Sequence, residues 1–277
     1  MNEVPEFTVL MALWKGDEPS QVVEALHSVT VAQALRPAHL VLTIDGELPV
    51  ALEEIVDRAE RGEWGESTIV RSPSHQGLAS ALQRGLKACP TEIVARADAD
   101  DINAPSRFAQ QISAFVDNNL DLLGSAMREI GSGVLRERPL SHDEIRAYVR
   151  DHNPFQHPTV VFRRSAVLSA GGYVDLPFME DWYLWYRMLR GGARTANLPD
   201  PLVNYRVNAA LYARRGGLVP LQSDVILQRT MLRDGETTRL RALRNLGARL
   251  AYRVGGPRVR ALMYAALIEH RTPAPPM

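Results

Sequence analysis

Three aspartates, Asp98, Asp100 and Asp101, follow directly after a short apolar run of the length expected for a buried strand. Carboxylates this close together raise one another's pKa, so a fold that keeps them together usually supplies a cation. Ligands that are all oxygen atoms suit a hard divalent ion such as Mg²⁺ or Mn²⁺. The spacing therefore predicts a divalent-metal site at the end of a strand.

Two other interpretations of the three aspartates can be compared with the sequence. An EF-hand loop counted from Asp98 would need glycine at the sixth position, where Asn103 stands, and glutamate at the twelfth, where Ala109 stands. A solvated acidic turn that caps the helix starting near Pro105 is the simpler alternative, since carboxylates favour helix N-termini. The residues alone exclude the EF-hand and leave the acidic turn open.

The elements that position these aspartates alternate between apolar runs and helical patterns. Strands are predicted at 7–14, 38–44, 67–70, 93–95 and 120–124, and helices at 20–34, 50–61, 77–87 and 106–118, with a capping box at 141–144 opening a further helix. Strands that alternate with helices predict an α/β fold with a mostly parallel sheet and right-handed crossovers. Ligands of such sheets bind at the carboxyl ends of the strands. We therefore expect 14–17, Asp45, 75–77 and 98–101 to converge on one edge.

The composition of the 277 residues is that of an ordinary globular protein, with 45% hydrophobic and 23% charged residues. The net charge of zero argues against a nucleic-acid binder. Cys89 is the single cysteine, and we expect it to be a core residue in a reducing compartment. No basic region precedes the first apolar run, and no stretch approaches the roughly 18 apolar residues of a membrane span. These features predict a cytoplasmic protein, or one at the inner face of the plasma membrane.

The C-terminal region has a distinct charge pattern. Residues 237–268 contain seven arginines and no acid, and Leu240, Leu243, Leu246 and Leu250 recur at helical spacing. This pattern predicts a basic amphipathic helix. Two interpretations stay open: a helix docked on the rest of the protein with a solvated basic face, and peripheral membrane contact.

The order of these features resembles the inverting family 2 glycosyltransferases of the GT-A fold, in particular the bacterial capsule and exopolysaccharide branch that includes the amylovoran enzymes. The resemblance runs from about Thr8 to Gly216 and rests on seven motifs in order: TIDG (43–46), HQGLASALQRGL (75–86), ARADADD (95–101) with Pro105 and Arg107, PFQHPTVVFRR (154–164), GGY (171–173), EDWYLWYRM (180–188) and NLPDPLVNYRV (197–207).

The resemblance implies a Rossmann-like GT-A domain, the nucleotide-diphospho-sugar transferase fold, over 1–216 and a helical C-terminal extension over 217–277. It also implies an inverting, metal-dependent hexosyltransferase-type enzyme that uses Mn²⁺ or Mg²⁺. The donor would be a nucleotide sugar, with UDP-sugar preferred, and the acceptor a glycan or lipid-linked sugar in cell-surface polysaccharide biosynthesis.

Roles for individual residues follow from the same resemblance. Asp45 matches the acid that contacts the base, Asp98 the acid near the ribose, Asp100 the metal ligand and Asp181 the catalytic base. The other expected site residues are Ala12, Trp14, Asp17, Gly77 and Arg96 on the donor side, and Glu180, Trp182, His157 and Arg206 as acceptor or supporting residues. Trp182 and Trp185 are expected to offer an apolar face to a sugar ring.

The chain departs from the family pattern at three positions. His75 and Gln83 stand where the family often has asparagine, and Asn208 stands about where many members have a metal-ligating histidine. These changes affect the loop beside the phosphates and the number of protein ligands to the metal.

Several alternatives remain at the level of single residues and of function. Glu180 and Asp181 also fit plain helix capping, and Arg96, Arg107 and Arg206 either face a diphosphate or form salt bridges with the acidic cluster. A non-catalytic nucleotide- or carbohydrate-binding protein on the same fold is the alternative function. A sugar nucleotidyltransferase is disfavoured, because ALWKGDEP (12–19) replaces its Gly-rich, Arg-containing loop.

Overall fold

The computed structural model describes residues 5–206 and 218–254, which form a sheet with helices on both faces. The strands are β1 (Phe7–Leu13), β2 (His39–Asp45), β3 (Ser67–Ser72), β4 (Ile93–Ala97), β5 (Ile102–Asn103), β6 (Leu122–Glu129), β7 (Leu135–Arg136), β8 (Val161–Arg163) and β9 (Thr195–Tyr205). The helices are α1 (Pro19–Val29), α2 (Val50–Glu60), α3 (Leu78–Ala88), α4 (Arg107–Asp117), α5 (His142–Tyr148), α6 (Arg164–Ser169), α7 (Glu180–Arg190), α8 (Leu218–Arg233) and α9 (Arg239–Val254).

The sheet has the order β3-β2-β1-β4-β8-β6-β9-β5, and β7 pairs with β6 outside this path. The strands β1 to β4 are parallel to one another, as the alternating pattern predicted. Beyond β4 the sheet is mixed, because β8 is antiparallel to both β4 and β6 while β6 and β9 are parallel. The predicted α/β fold with a mostly parallel sheet is confirmed.

The two faces of the sheet are covered by separate sets of helices. Along β1, Val9 and Met11 join the core under α1, α2 and α4, whereas Leu10 joins the core under α3 and α7. A Cβ atom on Gly85 would lie 2.4 Å from side-chain atoms of both Leu10 and Thr43, so glycine lets α3 approach the sheet closely. Cys89 is buried in this second core, as expected.

Two local predictions have different outcomes. The capping box is confirmed, since the Ser141 hydroxyl accepts from the Glu144 amide and the Glu144 carboxylate accepts from the Ser141 amide. The first helix ends at Val29, five residues before the predicted end at Ala34. The Gln33 side chain donates to the Ser28 carbonyl at 2.6 Å, which takes the place of the next helical hydrogen bond.

Helix α9 packs against the rest of the described chain through polar contacts. Asp151 accepts from Arg241 Nε at 2.9 Å, Arg244 Nη2 at 2.8 Å and Asn245 Nδ2 at 3.0 Å. These hydrogen bonds, with that from Arg241 first, offset the effect of burial and lower the pKa of Asp151 to about 2. Docking of the basic helix, one of the two interpretations left open, is therefore observed for α9.

None of the helices in residues 5–206 and 218–254 combines the length and the apolar character needed to cross a membrane. The predicted boundary at 216/217, the position Asn208 and the part of the predicted basic helix beyond residue 254 lie outside the described residues. The division into two domains stays a prediction.

Candidate active site

The carboxyl ends of β1, β2 and β3 border an open cleft of about 430 Å³, lined by Lys15, 45–49 and 73–75. Asp45, at the end of β2, accepts from the amides of Gln76 at 2.9 Å and Gly77 at 2.8 Å. Its carboxylate therefore holds the loop that leads into α3. Gly46 has a φ of +89°, and a Cβ atom there would lie 2.9 Å from the His75 amide nitrogen, so the turn between β2 and this loop requires glycine.

The loop after β1 connects this cleft to the acidic cluster. Ala12 is half-buried in β1, and the Trp14 ring centroid lies 5.7 Å from that of His75. The Trp14 amide donates to Asp17 at 2.9 Å. Burial raises the pKa of Asp17 to about 7 against the lowering effect of that hydrogen bond, and the charges of Asp100 and Asp98 contribute to the rise. Asp17 is therefore close enough to the cluster to interact with its charge.

The three aspartates after β4 form the cluster that their spacing predicted. One carboxylate oxygen from each of Asp98, Asp100 and Asp101 lies within 4.8 Å of the others. Burial first, and the Asp98 charge second, raise the pKa of both Asp100 and Asp101. The buried Asp101 Oδ2 has no hydrogen-bond partner among residues 5–206 and 218–254. A compact set of desolvated oxygen ligands fits a hard divalent ion.

The alternative of an acidic turn that caps the next helix does not fit the geometry. The N-cap of α4 is Ser106, the first turn of that helix contains no acid, and Asp101 is buried. Asp101 instead accepts from the Arg206 amide at 3.0 Å. The cluster is therefore tied to the end of β9 and does not act as a helix cap.

The three arginines considered for a diphosphate differ in their surroundings. Arg96 is 2% exposed and forms an ion pair with Asp98, while its Nε and Nη1 have no partner in the described part of the chain. Arg206 donates to the Asp100 carbonyl at 2.8 Å and pairs with Glu24.

For Arg107 the structure shows neither of the two alternatives left open, a diphosphate contact or a salt bridge with the acidic cluster. Its side chain is fully buried, and the guanidinium donates to Gln111, Asn103 and the Arg96 carbonyl. Burial first, and the charge of Arg96 second, lower its pKa to about 9. Arg107 therefore holds the strand that carries the cluster.

A second pair of carboxylates lies at the start of α7. Asp181 Oδ1 accepts from the Trp182 amide at 2.7 Å and Oδ2 from the Asn153 side chain at 2.6 Å. Both acids are half-buried, and Met179 is the N-cap, so neither acid is the capping residue of this helix. Burial raises the pKa of Asp181, and burial together with the Asp181 charge raises the pKa of Glu180 to about 7.

Arg96 connects the two acidic groups electrostatically. Its positive charge lowers the pKa of Asp100 and Asp101 on one side and of Glu180 and Asp181 on the other, in each case against the effect of burial. The buried Arg96 guanidinium therefore lies close enough to both groups to interact with their charges. The sequence predicted both groups but not this connection.

His157 contacts the aromatic side chains of Tyr173 and Trp185. His157 Nε2 lies 3.0 Å from the Tyr173 hydroxyl, and its ring also packs on Trp185. Burial holds the pKa of His157 well below its usual value, and the Arg96 charge adds to the lowering. His157 is therefore neutral at physiological pH.

The expectation that Trp182 and Trp185 offer an apolar face to a sugar is wrong. Both side chains are buried; Trp182 donates to the Val149 carbonyl at 2.8 Å, and the Arg249 guanidinium lies 4.5 Å from its ring centroid. The indole faces are used for packing, because this side of α7 faces the core and α9. Only the Trp182 amide reaches the candidate site, through Asp181.

Asn153 and Tyr173 are the site residues that sequence reasoning missed as candidates. Asn153 immediately precedes the PFQHP motif and Tyr173 ends the GGY motif, so their positions beside recognised motifs were the available signal. Gln83, noted as a departure from the family pattern, accepts from the Tyr173 amide at 2.8 Å. It holds the GGY segment against α3.

Comparisons with known proteins identify related sequences. The sequence profile of Glycosyl transferase family 2 matches residues 17–171. The chain is 36% identical over 233 residues to the amylovoran biosynthesis glycosyltransferase AmsE of Erwinia amylovora, covering 82% of this chain and 85% of that protein. It is 30% identical over 237 residues to the UDP-Gal:alpha-D-GlcNAc-diphosphoundecaprenol beta-1,3-galactosyltransferase of Escherichia coli, covering 82% of this chain and 83% of that one.

A solved structure shows the same fold. The mannosyltransferase PcManGT from Pyrobaculum calidifontis, in complex with GDP-Man and Mn²⁺, superposes with a TM-score of 0.67 at 19% identity and covers 96% of this chain and 81% of that one.

Proposed function

We propose that this chain, which belongs to Glycosyl transferase family 2, is an inverting enzyme that moves a sugar from a nucleotide-sugar donor to a lipid-linked glycan in cell-surface polysaccharide biosynthesis. The observation that carries the proposal is the pair of carboxylate groups around Arg96, one suited to a metal and one able to accept a proton. Two matched relatives, named for amylovoran biosynthesis and for a diphosphoundecaprenol-linked acceptor, support the polysaccharide and lipid parts.

In this proposal the donor lies along the carboxyl edge of β1 to β4. The base occupies the cleft beside Trp14, Asp45 and Gly77. The ribose lies near Asp98, and the diphosphate lies next to Asp100. A UDP-sugar is the preferred donor, since the Escherichia coli relative is named for UDP-Gal. Arg96 and Arg206 orient the cluster, because the Arg96 guanidinium pairs with Asp98 and the Arg206 guanidinium donates to the Asp100 carbonyl.

Asp100, with Asp98 and Asp101 beside it, would hold a divalent cation, Mn²⁺ or Mg²⁺. When bound, such an ion neutralises the charge that develops on the diphosphate leaving group. Burial and mutual repulsion raise the pKa of Asp100 and Asp101, so a cation here also relieves an unfavourable arrangement of charge.

Asp181 is the catalytic base. Its carboxylate removes the proton of an acceptor hydroxyl, whose oxygen forms a bond to the anomeric carbon as the bond to the diphosphate breaks. One base without a protein nucleophile corresponds to a single displacement, which inverts the anomeric centre. Glu180 and Asn153 position this base. The Trp182 amide and Asn153 both donate to it, which favours the ionised form that a base requires.

The alternative of a nucleotide-binding protein without activity makes a different prediction in a ligand panel. We expect UDP-sugars with Mn²⁺ to raise the thermal midpoint more than GDP- or dTDP-sugars, since a ligand at 100 times its Kd stabilises by about 2.7 kcal/mol. The same mixtures are then assayed for release of the nucleoside diphosphate. Stabilisation without any release or transfer would favour the binding protein, and stabilisation by GDP-sugars alone would contradict the UDP assignment.

Asn153→Ala tests the role of this side chain beside Asp181. Loss of a hydrogen bond to the ionised carboxylate raises its pKa, so the acid limb of the kcat/KM profile should move to higher pH by about one unit. Glu180, Arg96 and Tyr173 also face Asp181 and are unchanged in the variant. Asn118→Ala, on the exposed end of α4, is the control. A lower kcat/KM with an unshifted profile would mean that Asn153 acts only on the fold.

A further inference from the structure

Helix α9 turns three leucines away from the protein. Leu240, Leu243 and Leu250 are 80%, 68% and 46% exposed. At 3.6 residues per turn they fall within one arc of about 80° on the helix surface. We call these three residues the leucine stripe. Large apolar side chains grouped on one exposed helix face indicate an interaction surface.

The opposite face of α9 carries the contacts to the protein. Arg241 and Asn245 bind Asp151, and Arg249 binds the buried Asp224 at 3.0 Å and the Asp151 carbonyl at 2.8 Å. The polar face is thus docked and the apolar face is outside, the reverse of an ordinary surface helix. Packing of α9 against the catalytic part therefore does not account for the leucine stripe.

On α8, α9 and the connection between them, every acid is paired with an arginine, and further arginines are exposed. The acids of α8, α9 and their connection are Asp224, Asp234 and Glu236, and each forms an ion pair, with Arg249, Arg190 and Arg150 respectively. Four arginines on the same two helices are exposed: Arg229, Arg233, Arg239 and Arg244. Arg233 and Arg244 also form ion pairs, with Asp234 and Asp151 respectively. By helical spacing, Arg239 and Arg244 lie on either side of the leucine stripe. An apolar face flanked by cations is complementary to an anionic lipid surface.

The position of α9 relative to the candidate active site also supports contact with a lipid surface. The Arg249 guanidinium packs on the ring of Trp182, the residue after Asp181. The helix that carries the stripe is therefore in direct contact with the helix that carries the proposed base.

We propose that the leucine stripe inserts into the headgroup region of an anionic lipid bilayer and presents the acceptor side of the enzyme to that surface. This inference rests on the proposed function, since a lipid-linked acceptor is confined to a bilayer. Insertion of the leucines makes the main contribution to the free energy of membrane binding, and the flanking arginines add attraction to anionic headgroups.

The experiment compares the full chain with a combined Leu240→Ser, Leu243→Ser and Leu250→Ser variant. Both are sedimented with vesicles of phosphatidylcholine and phosphatidylglycerol, and with vesicles of phosphatidylcholine alone. We expect the wild type to pellet with the anionic vesicles and the variant to partition at least about tenfold more weakly, because three apolar side chains are lost from the contact. Val116→Ser, a change at a 46% exposed position on α4, is the matched control and should partition like wild type.

Several results would overturn the proposal. Equal pelleting of wild type and variant would remove the stripe as the contact, and so would a wild type that binds neither kind of vesicle. A wild-type dimer that the variant no longer forms would assign the stripe to a second copy of the chain. Vesicle binding that appears only after removal of 255–277 would assign it to the chain's own C-terminal residues.

Transfer to a water-soluble acceptor separates this proposal from the proposed function. The variant should transfer to such an acceptor like wild type, since its changes are outside the candidate active site. Absence of transfer in both proteins would contradict the proposed function, whereas loss of transfer in the variant alone would contradict an exclusively lipid-binding role of the stripe.

Discussion

Replacement of Asp100 by alanine should abolish Mn²⁺-dependent binding of the nucleotide sugar and leave the fold at least as stable as that of the wild type. Asp98, Asp100 and Asp101 hold carboxylate oxygens within 4.8 Å of one another, and burial and mutual repulsion raise the pKa of Asp100 and Asp101. Removing one charge from this cluster relieves repulsion, so no loss of stability is expected without metal. Loss of a metal ligand should weaken metal-dependent donor binding by about 100-fold or more, since outer-shell changes alone cost 10- to 100-fold.

Calorimetric titration of the donor with and without Mn²⁺ measures this effect, and thermal unfolding of the metal-free protein measures stability. Asp143→Ala, at an exposed position on α5, is the matched control for removing an aspartate. If Asp100→Ala still bound the donor with wild-type dependence on Mn²⁺, Asp100 would not be a metal ligand. A marked loss of stability in the metal-free variant would instead assign the carboxylate to the fold.

The parallel half of the sheet was predictable because its signal is local. Each of β1 to β4 is a short apolar run that leads into a polar loop, and parallel strands place those loops at one edge. Asp45, Asp98 and Asp100 could therefore be assigned to one edge without knowledge of the contacts. Asn153 could not, because it lies 28 positions before Asp181 and the hydrogen bond depends on how α7 packs.

The orientation of amphipathic elements was the other feature that the sequence left open. Helical periodicity identifies faces but not the partner of each face. In α7 both tryptophans face the core, so neither is available to a sugar. In α9, Arg241 and Arg249 face the protein through Asp151 and Asp224, which leaves the leucines outside. The positions of the buried Asp224 and the half-buried Asp151 decided this orientation, and those positions are a property of the tertiary structure.

The change Asp181→Asn should separate an inverting transferase from a nucleotide-binding protein with the same sheet. Asparagine keeps the shape of the side chain and can still accept from the Trp182 amide, but it cannot take the acceptor's proton. Donor affinity should stay within a few-fold, because Asp181 lies in the other carboxylate group from Asp98 and Asp100. Turnover should fall by roughly 10²-fold or more, the low end of what a general base supplies.

The kinetic pattern of this variant is as informative as its magnitude. An interaction made only in the transition state lowers kcat and kcat/KM together, so higher donor concentration should not restore the rate. Transfer to an acceptor has to be followed, because slow donor hydrolysis uses water and does not require the same base. Unchanged transfer by Asp181→Asn would be incompatible with a base role for this residue.

Glu180→Gln provides the internal comparison, since the two acids are neighbours and share burial and the Arg96 charge. The pKa of Glu180 is raised to about 7, so this carboxyl is already partly protonated at neutral pH and glutamine resembles its neutral form. We therefore expect a smaller loss of turnover than in Asp181→Asn, within about tenfold, below what a general base contributes. Inactivity of Glu180→Gln beside near-normal transfer by Asp181→Asn would move the base to Glu180, and activity in both variants would rule out a carboxylate base at the start of α7.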